Sequence, residues 1–172
     1  LPIYLPHLNN INTHVMSPSE IGCTLSHLKT IDFCSRLKGK YFLILEDNIN
    51  LEAIDDYDMD VETLIKNSPT NFDILQLYIH NWVITHTESY KKTIKASSTK
   101  AYIITNDGIN KCKQYFDYDE IADTFSFKIK KMLNIADIYV FSLCDSYYFD
   151  DLILNENKLL GTTIEHTKQA EI

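Results

Sequence analysis

Five apolar residues in a row, Tyr41, Phe42, Leu43, Ile44 and Leu45, run straight into Glu46, Asp47 and Asn48. A run without alternation predicts a strand covered on both faces, as in a parallel sheet between helices. Upstream, Ser17-Pro18-Ser19-Glu20 reads as a helix start. Ser17 caps, Pro18 suits the first helical position, and Glu20 closes a capping box three residues on. Ile21, Leu25, Leu28, Ile31 and Leu37 follow at mostly helical spacing, and Gly39 is the natural C-terminal cap. The opening of the pattern is thus helix, strand, acid.

Farther along, residues 61–67 predict a short helix closed by Ser68-Pro69, and residues 72–78 a second inner strand. Residues 82–90 read as strand or loop, and 93–96 as strand-like. Residues 101–104 form another apolar strand, followed by an Asn106-Asp107-Gly108 turn. Helices are predicted over 109–116 and 121–133, with Asp123 near the start of the second, and a strand over 138–143. Residues 1–16 read as irregular and 155–172 as a polar tail. With strands and helices alternating and no internal repeat, the class is α/β, in one domain over 1–172.

Charge narrows the partners. The formal net charge is −8, which argues against a broad nucleic-acid footprint. A negatively charged substrate needs local compensation, and a divalent cation is one way to supply it. No apolar run approaches the roughly 20 residues of a membrane span, and no signal peptide is visible at Leu1. Cys23, Cys34, Cys112 and Cys144 make no CxxC pair, so buried reduced thiols are expected. This usage hints at a reducing compartment, with the secretory pathway as the alternative.

Candidate chemistry gathers at the end of the first strand. Ligands of open α/β sheets bind beyond the carboxyl ends of strands, and the oxygens of Glu46, Asp47 and Asn48 suit magnesium or manganese. A polar strand-to-loop exit is the alternative. Glu20 is a capping acid or a sugar contact, Gly22 a site of close helix packing, and Asp73 a loop anchor. Tyr147, Tyr148 and Phe149 read as a stacking surface or as core, and the acids over 55–58 as a solvated loop. No HExxH-type motif supports a metallohydrolase.

Five segments in order carry a resemblance. Glu20-Ile21-Gly22-Cys23-Thr24-Leu25-Ser26-His27 is similar to an E-x-G-C-x-x-S-H helix. Tyr41 to Asn48 is similar to a strand ending in E-D-D. Phe72-Asp73-Ile74-Leu75-Gln76-Leu77 matches W/F-D-I-L-x-L, Thr99-Lys100-Ala101-Tyr102-Ile103-Ile104 matches G/T-x-A-Y-I-I, and Ala122-Asp123-Thr124-Phe125 matches x-D-x-F/L. Together, over about residues 17–164, they resemble glycosyltransferase family 25, which includes lipooligosaccharide and collagen galactosyltransferases. Asn48 stands where the motif has its last acid. The family's opening strand, with its N-L-x-x-R stretch, is not found, so the chain is read as a fragment of a longer polypeptide with additional domains or as a reduced relative.

The resemblance implies a GT-A-like fold, a Rossmann-type mixed sheet flanked by helices. It also implies a UDP-sugar donor bridged by manganese or magnesium, and inverting transfer of a hexose, galactose or glucose, to a glycan or protein hydroxyl. Asp47 is then the leading metal ligand, with Asn48 and His166 beside it. Glu46 lies near the nucleotide, Ser26 and His27 lie near it or make structural hydrogen bonds, and Asp123, at a helix start, is the base that takes the acceptor proton or a first-turn acid that stabilises the helix. A non-catalytic accessory or glycan-binding domain of the same fold is the competing reading. Metal-dependent UDP binding separates the two.

Overall fold

The computed structural model describes residues 16–50, 60–78, 90–92, 98–128, 136–149 and 155–156. In chain order these hold α1 (Pro18–Ser35), β1 (Tyr41–Leu45), β2 (Ile49–Asn50), α2 (Val61–Asn67), β3 (Ile74–Gln76), β4 (Tyr90–Lys92) and β5 (Ala101–Thr105). There follow α3 (Asn106–Lys113), β6 (Phe116–Asp119), β7 (Thr124–Phe127), α4 (Ala136–Phe141), β8 (Ser146–Phe149) and β9 (Asn155–Glu156). The main sheet runs β1-β5-β3-β8-β4. It is mixed: β3 and β8 are parallel, and the other neighbours are antiparallel.

The sheet divides the interior into two clusters, as side-chain alternation requires. Tyr102 and Ile104 of β5 face one side with Ile74 of β3, where Leu28 and Ile31 of α1, Ile109 and Cys112 of α3 and Tyr139 and Val140 of α4 cover them. Ala101 and Ile103 face the other side with Leu75, against Leu64 of α2, Phe72 and Phe149. All five residues of β5 are buried, so its position between β1 and β3 is fixed by apolar burial on both faces.

The start of α1 follows its sequence closely. Glu20 N donates to Ser17 Oγ (3.2 Å), and Ser17 N donates to Glu20 Oε2 (2.7 Å). Glu20 is therefore a capping acid, and it is buried. The helix stops at Arg36 rather than Gly39. A Cβ on Gly39 would sit 3.0 Å from the Phe42 ring, so close approach, not helix capping, is what this glycine serves. Among the described residues nothing lies within 4 Å of a Cβ added to Gly22, so none of them packs closely there as expected.

Four expected elements differ. Residues 121–133 were expected as a helix, but 116–127 form the β6–β7 hairpin; residues 129–133 lie outside the described residues. Phe116 and Tyr118 alternate with acids and pair with Phe127 and Phe125 across the hairpin, a period of two rather than 3.6. Residues 138–143 were expected as a strand. Ala136, Tyr139 and Val140, buried at i, i+3 and i+4, make the segment helical instead, as α4. The expected turn at 106–108 is the first turn of α3, capped by Thr105 Oγ1, which accepts from Gly108 N (3.0 Å). In the polar tail, Asn155 and Glu156 pair with β2.

The strand β1 also departs from expectation. Only Ile44 of its five residues is buried, while Leu43 and Leu45 are 47 % and 38 % exposed. It pairs antiparallel with β5 and lies at the sheet edge among the described residues. The readings at 1–15, 55–58, 82–89 and 93–96 lie outside the described residues. No described helix is long and apolar enough to cross a membrane.

Candidate functional site

The pairing of β1 with β5 places the candidate site. Glu46 follows the last residue of β1, and its backbone N donates to Lys100 O (2.8 Å). The segment entering β5 is therefore held beside it. Thr99 Oγ1 donates to Glu46 Oε1 (2.9 Å), and His27 Nε2 lies 3.3 Å from the same oxygen. The other ring nitrogen, Nδ1, is 3.1 Å from the Tyr102 hydroxyl. Tyr102 is wholly buried and meets Phe141 edge-on. A chain of polar contacts thus runs from the sheet core, through the helix, to the end of β1.

The segment at Ser98 is strained to make this possible. Ser98 has φ 97°, in the left-handed region that a side chain disfavours. Two contacts hold it: its N donates to Asp137 Oδ2 (3.0 Å), and its carbonyl accepts from the buried Gln76 Nε2 (2.6 Å). Strain of this kind persists where neighbours over-determine the backbone, often at functional sites.

Electrostatics follow the geometry. Burial pushes the Glu46 carboxyl up, but hydrogen bonds from His27 and Thr99, with the charges of His27 and Lys100, outweigh it and leave it below the ordinary value. The Cys23 thiol, one helical turn before His27, is pushed up to about 11 by burial first, then by Glu46 and Asp137. Cys23, His27 and Glu46 bring their ligating atoms within 4.8 Å of one another. All four cysteines are free.

A groove of about 740 Å³ runs between α1 and β1, with Ser26, His27 and Thr30 on the helix side and Glu46 and Asp47 at its end. That volume lies within the range of small-ligand sites. Glu46, Asp47, Asn48 and Ile49 form a turn, with Ile49 N over Glu46 O (3.4 Å). The turn sends neighbouring side chains opposite ways: Asp47 is exposed, while Asn48 is buried with Oδ1 shut off from solvent. The Asp47 carboxylate fits a magnesium- or manganese-like cation, which one or two carboxylates and substrate phosphates commonly hold.

Asp123 stands elsewhere than expected. It lies in the turn of the β6–β7 hairpin, not at a helix N-terminus, and its φ of 50° is one that Asp tolerates. It accepts from the Tyr118 hydroxyl (2.8 Å) and pairs with Lys29 Nζ (2.5 Å). These two, Lys29 foremost, hold its carboxyl below the usual range. It is exposed and is not part of the groove lining. His166 lies outside the described residues.

Tyr147, Tyr148 and Phe149 form β8, inside the sheet. Phe149 packs in the second core cluster with the partly buried Tyr147 against it, while Tyr148, also partly buried, belongs to neither cluster. Asp73 is a loop anchor as expected, since its Oδ2 accepts from Asp145 N (2.7 Å) and Lys111 Nζ (2.5 Å). Sequence reasoning missed Cys23, Ser98, Thr99 and Tyr102 as site residues. The i, i+4 spacing of Cys23 and His27 was a signal available to find the first.

Comparison with known proteins adds one finding. The family model described as glycosyltransferase family 25 (LPS biosynthesis protein) matches residues 4–138, a span that contains Cys23, Ser26, His27, Glu46, Asp47, Asn48 and Asp123 but not His166. No curated protein and no solved structure matches the chain.

Proposed function

The chain belongs to glycosyltransferase family 25, and on that premise we propose that it moves a hexose, galactose or glucose, from a UDP-sugar to an acceptor hydroxyl with inversion, on a GT-A-like scaffold. The observation that carries the reading is the groove between α1 and β1 that ends at an exposed acid, Asp47. Its place beyond the carboxyl end of a strand is where open α/β sheets bind ligands. The acceptor is a glycan or protein hydroxyl.

Each residue has a proposed task. The exposed Ser26 hydroxyl on the groove wall hydrogen-bonds the nucleotide, while His27 and Glu46 shape the inner end. Manganese or magnesium is held by Asp47 first, with His166 as a further nitrogen donor; the buried Asn48 amide, expected as an oxygen ligand, is turned away from Asp47. A bound divalent cation neutralises charge on a diphosphate leaving group. Asp123, kept ionised by Lys29 and Tyr118, takes the proton from the acceptor hydroxyl.

A second reading, a non-catalytic accessory or glycan-binding domain, draws on two observations. Asp123 lies outside the groove lining, and Asn48 is a buried amide where the family motif has an acid. Release of UDP from UDP-galactose and UDP-glucose, with manganese and a panel of sugar acceptors, tests the two. Turnover that falls by about 10²-fold or more in Asp47→Ala and in Asp123→Asn supports transfer. UDP binding without turnover supports the accessory domain.

A further inference from the structure

Cys23 and His27 lie one turn apart on α1, so their side chains share a face. The end of β1 carries Glu46 to them, and the three ligating atoms lie within 4.8 Å of one another. The closest measured pair, His27 Nε2 and Glu46 Oε1, is 3.3 Å apart. Two nitrogen or oxygen ligands on a tetrahedral zinc with bonds of about 2.0–2.1 Å stand about 3.3–3.4 Å apart. We propose that Cys23, His27 and Glu46 form a transition-metal site of the zinc class, with its fourth position open.

The donor set argues for that class of ion. A thiolate and an imidazole suit zinc, whereas magnesium and manganese prefer oxygen. The exposed Asp47 offers the oxygen chemistry, so the two sites differ in the ions that they select. The partners behind the ligands are already built. The Tyr102 hydroxyl sits on His27 Nδ1, which orients the ring and leaves Nε2 toward Glu46. Thr99 Oγ1 holds the Glu46 carboxylate, and the neighbouring Ser98 is itself held by Asp137 and Gln76. Among the described residues this is the group of His, Cys, Asp and Glu side chains that converges as metal ligands do.

Metal binding here displaces one proton from the Cys23 thiol to solvent. The neutral His27 ring gives up its Nε2 proton to the ion's approach and carries its one proton on Nδ1 instead, where the Tyr102 oxygen accepts it, so the net release is the thiol proton alone. Three protein ligands leave a coordination position for water or another small ligand. His27 and Glu46 also line the groove, so the site borders it. The site ties α1 to the β1 and β5 edge, and binding to the folded state alone raises the melting temperature.

Cobalt, a spectroscopic stand-in for zinc, gives the test. The full chain, stripped with a chelator and kept reduced, is titrated with cobalt and then with zinc. The proposal expects a thiolate-to-cobalt charge-transfer band that saturates at one equivalent and is displaced by zinc. The band is lost in Cys23→Ser and kept in Asp47→Asn. No band, or a full band in a folded Cys23→Ser protein, overturns the site. X-ray absorption of the zinc-loaded wild-type chain decides the matter even if that variant does not fold. One sulfur in the first shell with nitrogen and oxygen supports the site; a shell of nitrogen and oxygen alone, or of several sulfurs, overturns it. Retained zinc binding in a chain that binds no UDP leaves this site standing while the transferase reading fails.

Discussion

Glu46 is the residue on which most of the site's contacts converge. Its Oε1 meets both Thr99 and His27, and hydrogen bonds to a charged group contribute about 1.5–3 kcal/mol each at most. Replacing Glu46 with Gln keeps the shape but removes the charge, and is expected to cost about 1–3 kcal/mol at neutral pH. The native carboxyl titrates below its ordinary value of 4.5. Its stabilisation is therefore present above that value and is lost as pH falls through the native one. Urea unfolding of both proteins at pH 7 and at descending acid pH checks this: the gap between them should shrink toward acid. An equal gap at every pH would mean that the charge plays no part. Glu46, Asp47 and Asn48 were legible in the sequence because they end an apolar run. Their partners were not, since Thr99 reaches Glu46 across 53 residues and Tyr102 reaches His27 across 75.

At the scale of elements, spacing decided what could be read. The helix α1 carried its own signature in Ser17, Pro18 and Glu20, and the capping box formed as the sequence implied. Short segments were ambiguous. The 138–143 run is apolar enough for a strand, and only the packing of α4 on α1 and the rest of the first core cluster shows the helical face. The hairpin was visible in the alternation at 116–119 and 124–127, but the helix pattern expected over 121–133 obscured it. The close approach of α3 to Asp73, just before β3, and to Ile104 of β5 makes its own prediction. A Cβ at Gly108 would stand 2.8 Å from the Asp73 carbonyl and 3.1 Å from Asp73 Cβ and Ile104 Cγ1. Backbone cannot yield as a flexible side chain does, so Gly108→Ala should cost about 1–3 kcal/mol. Thermal denaturation measures it, and an unchanged midpoint would show that α3 can slide. The exposed turn gives the contrast: Asp123→Asn should shift stability by no more than about 0.5 kcal/mol, so any large loss of turnover in that variant reports on chemistry and not on folding.

For the whole molecule, net charge and family set the terms. A chain of formal net charge −8 repels an anionic ligand such as the proposed nucleotide-sugar. A cation at Asp47, as proposed, would offset that repulsion. The central claim is thus that UDP and a hard cation bind together in the groove between α1 and β1. Calorimetric titration of UDP into the full chain, with and without manganese, tests it most directly. The account predicts binding that requires manganese in the wild-type chain, disappears in Asp47→Ala and survives in Cys23→Ser. UDP binding that is absent with manganese present, or that is unchanged by Asp47→Ala, would contradict it.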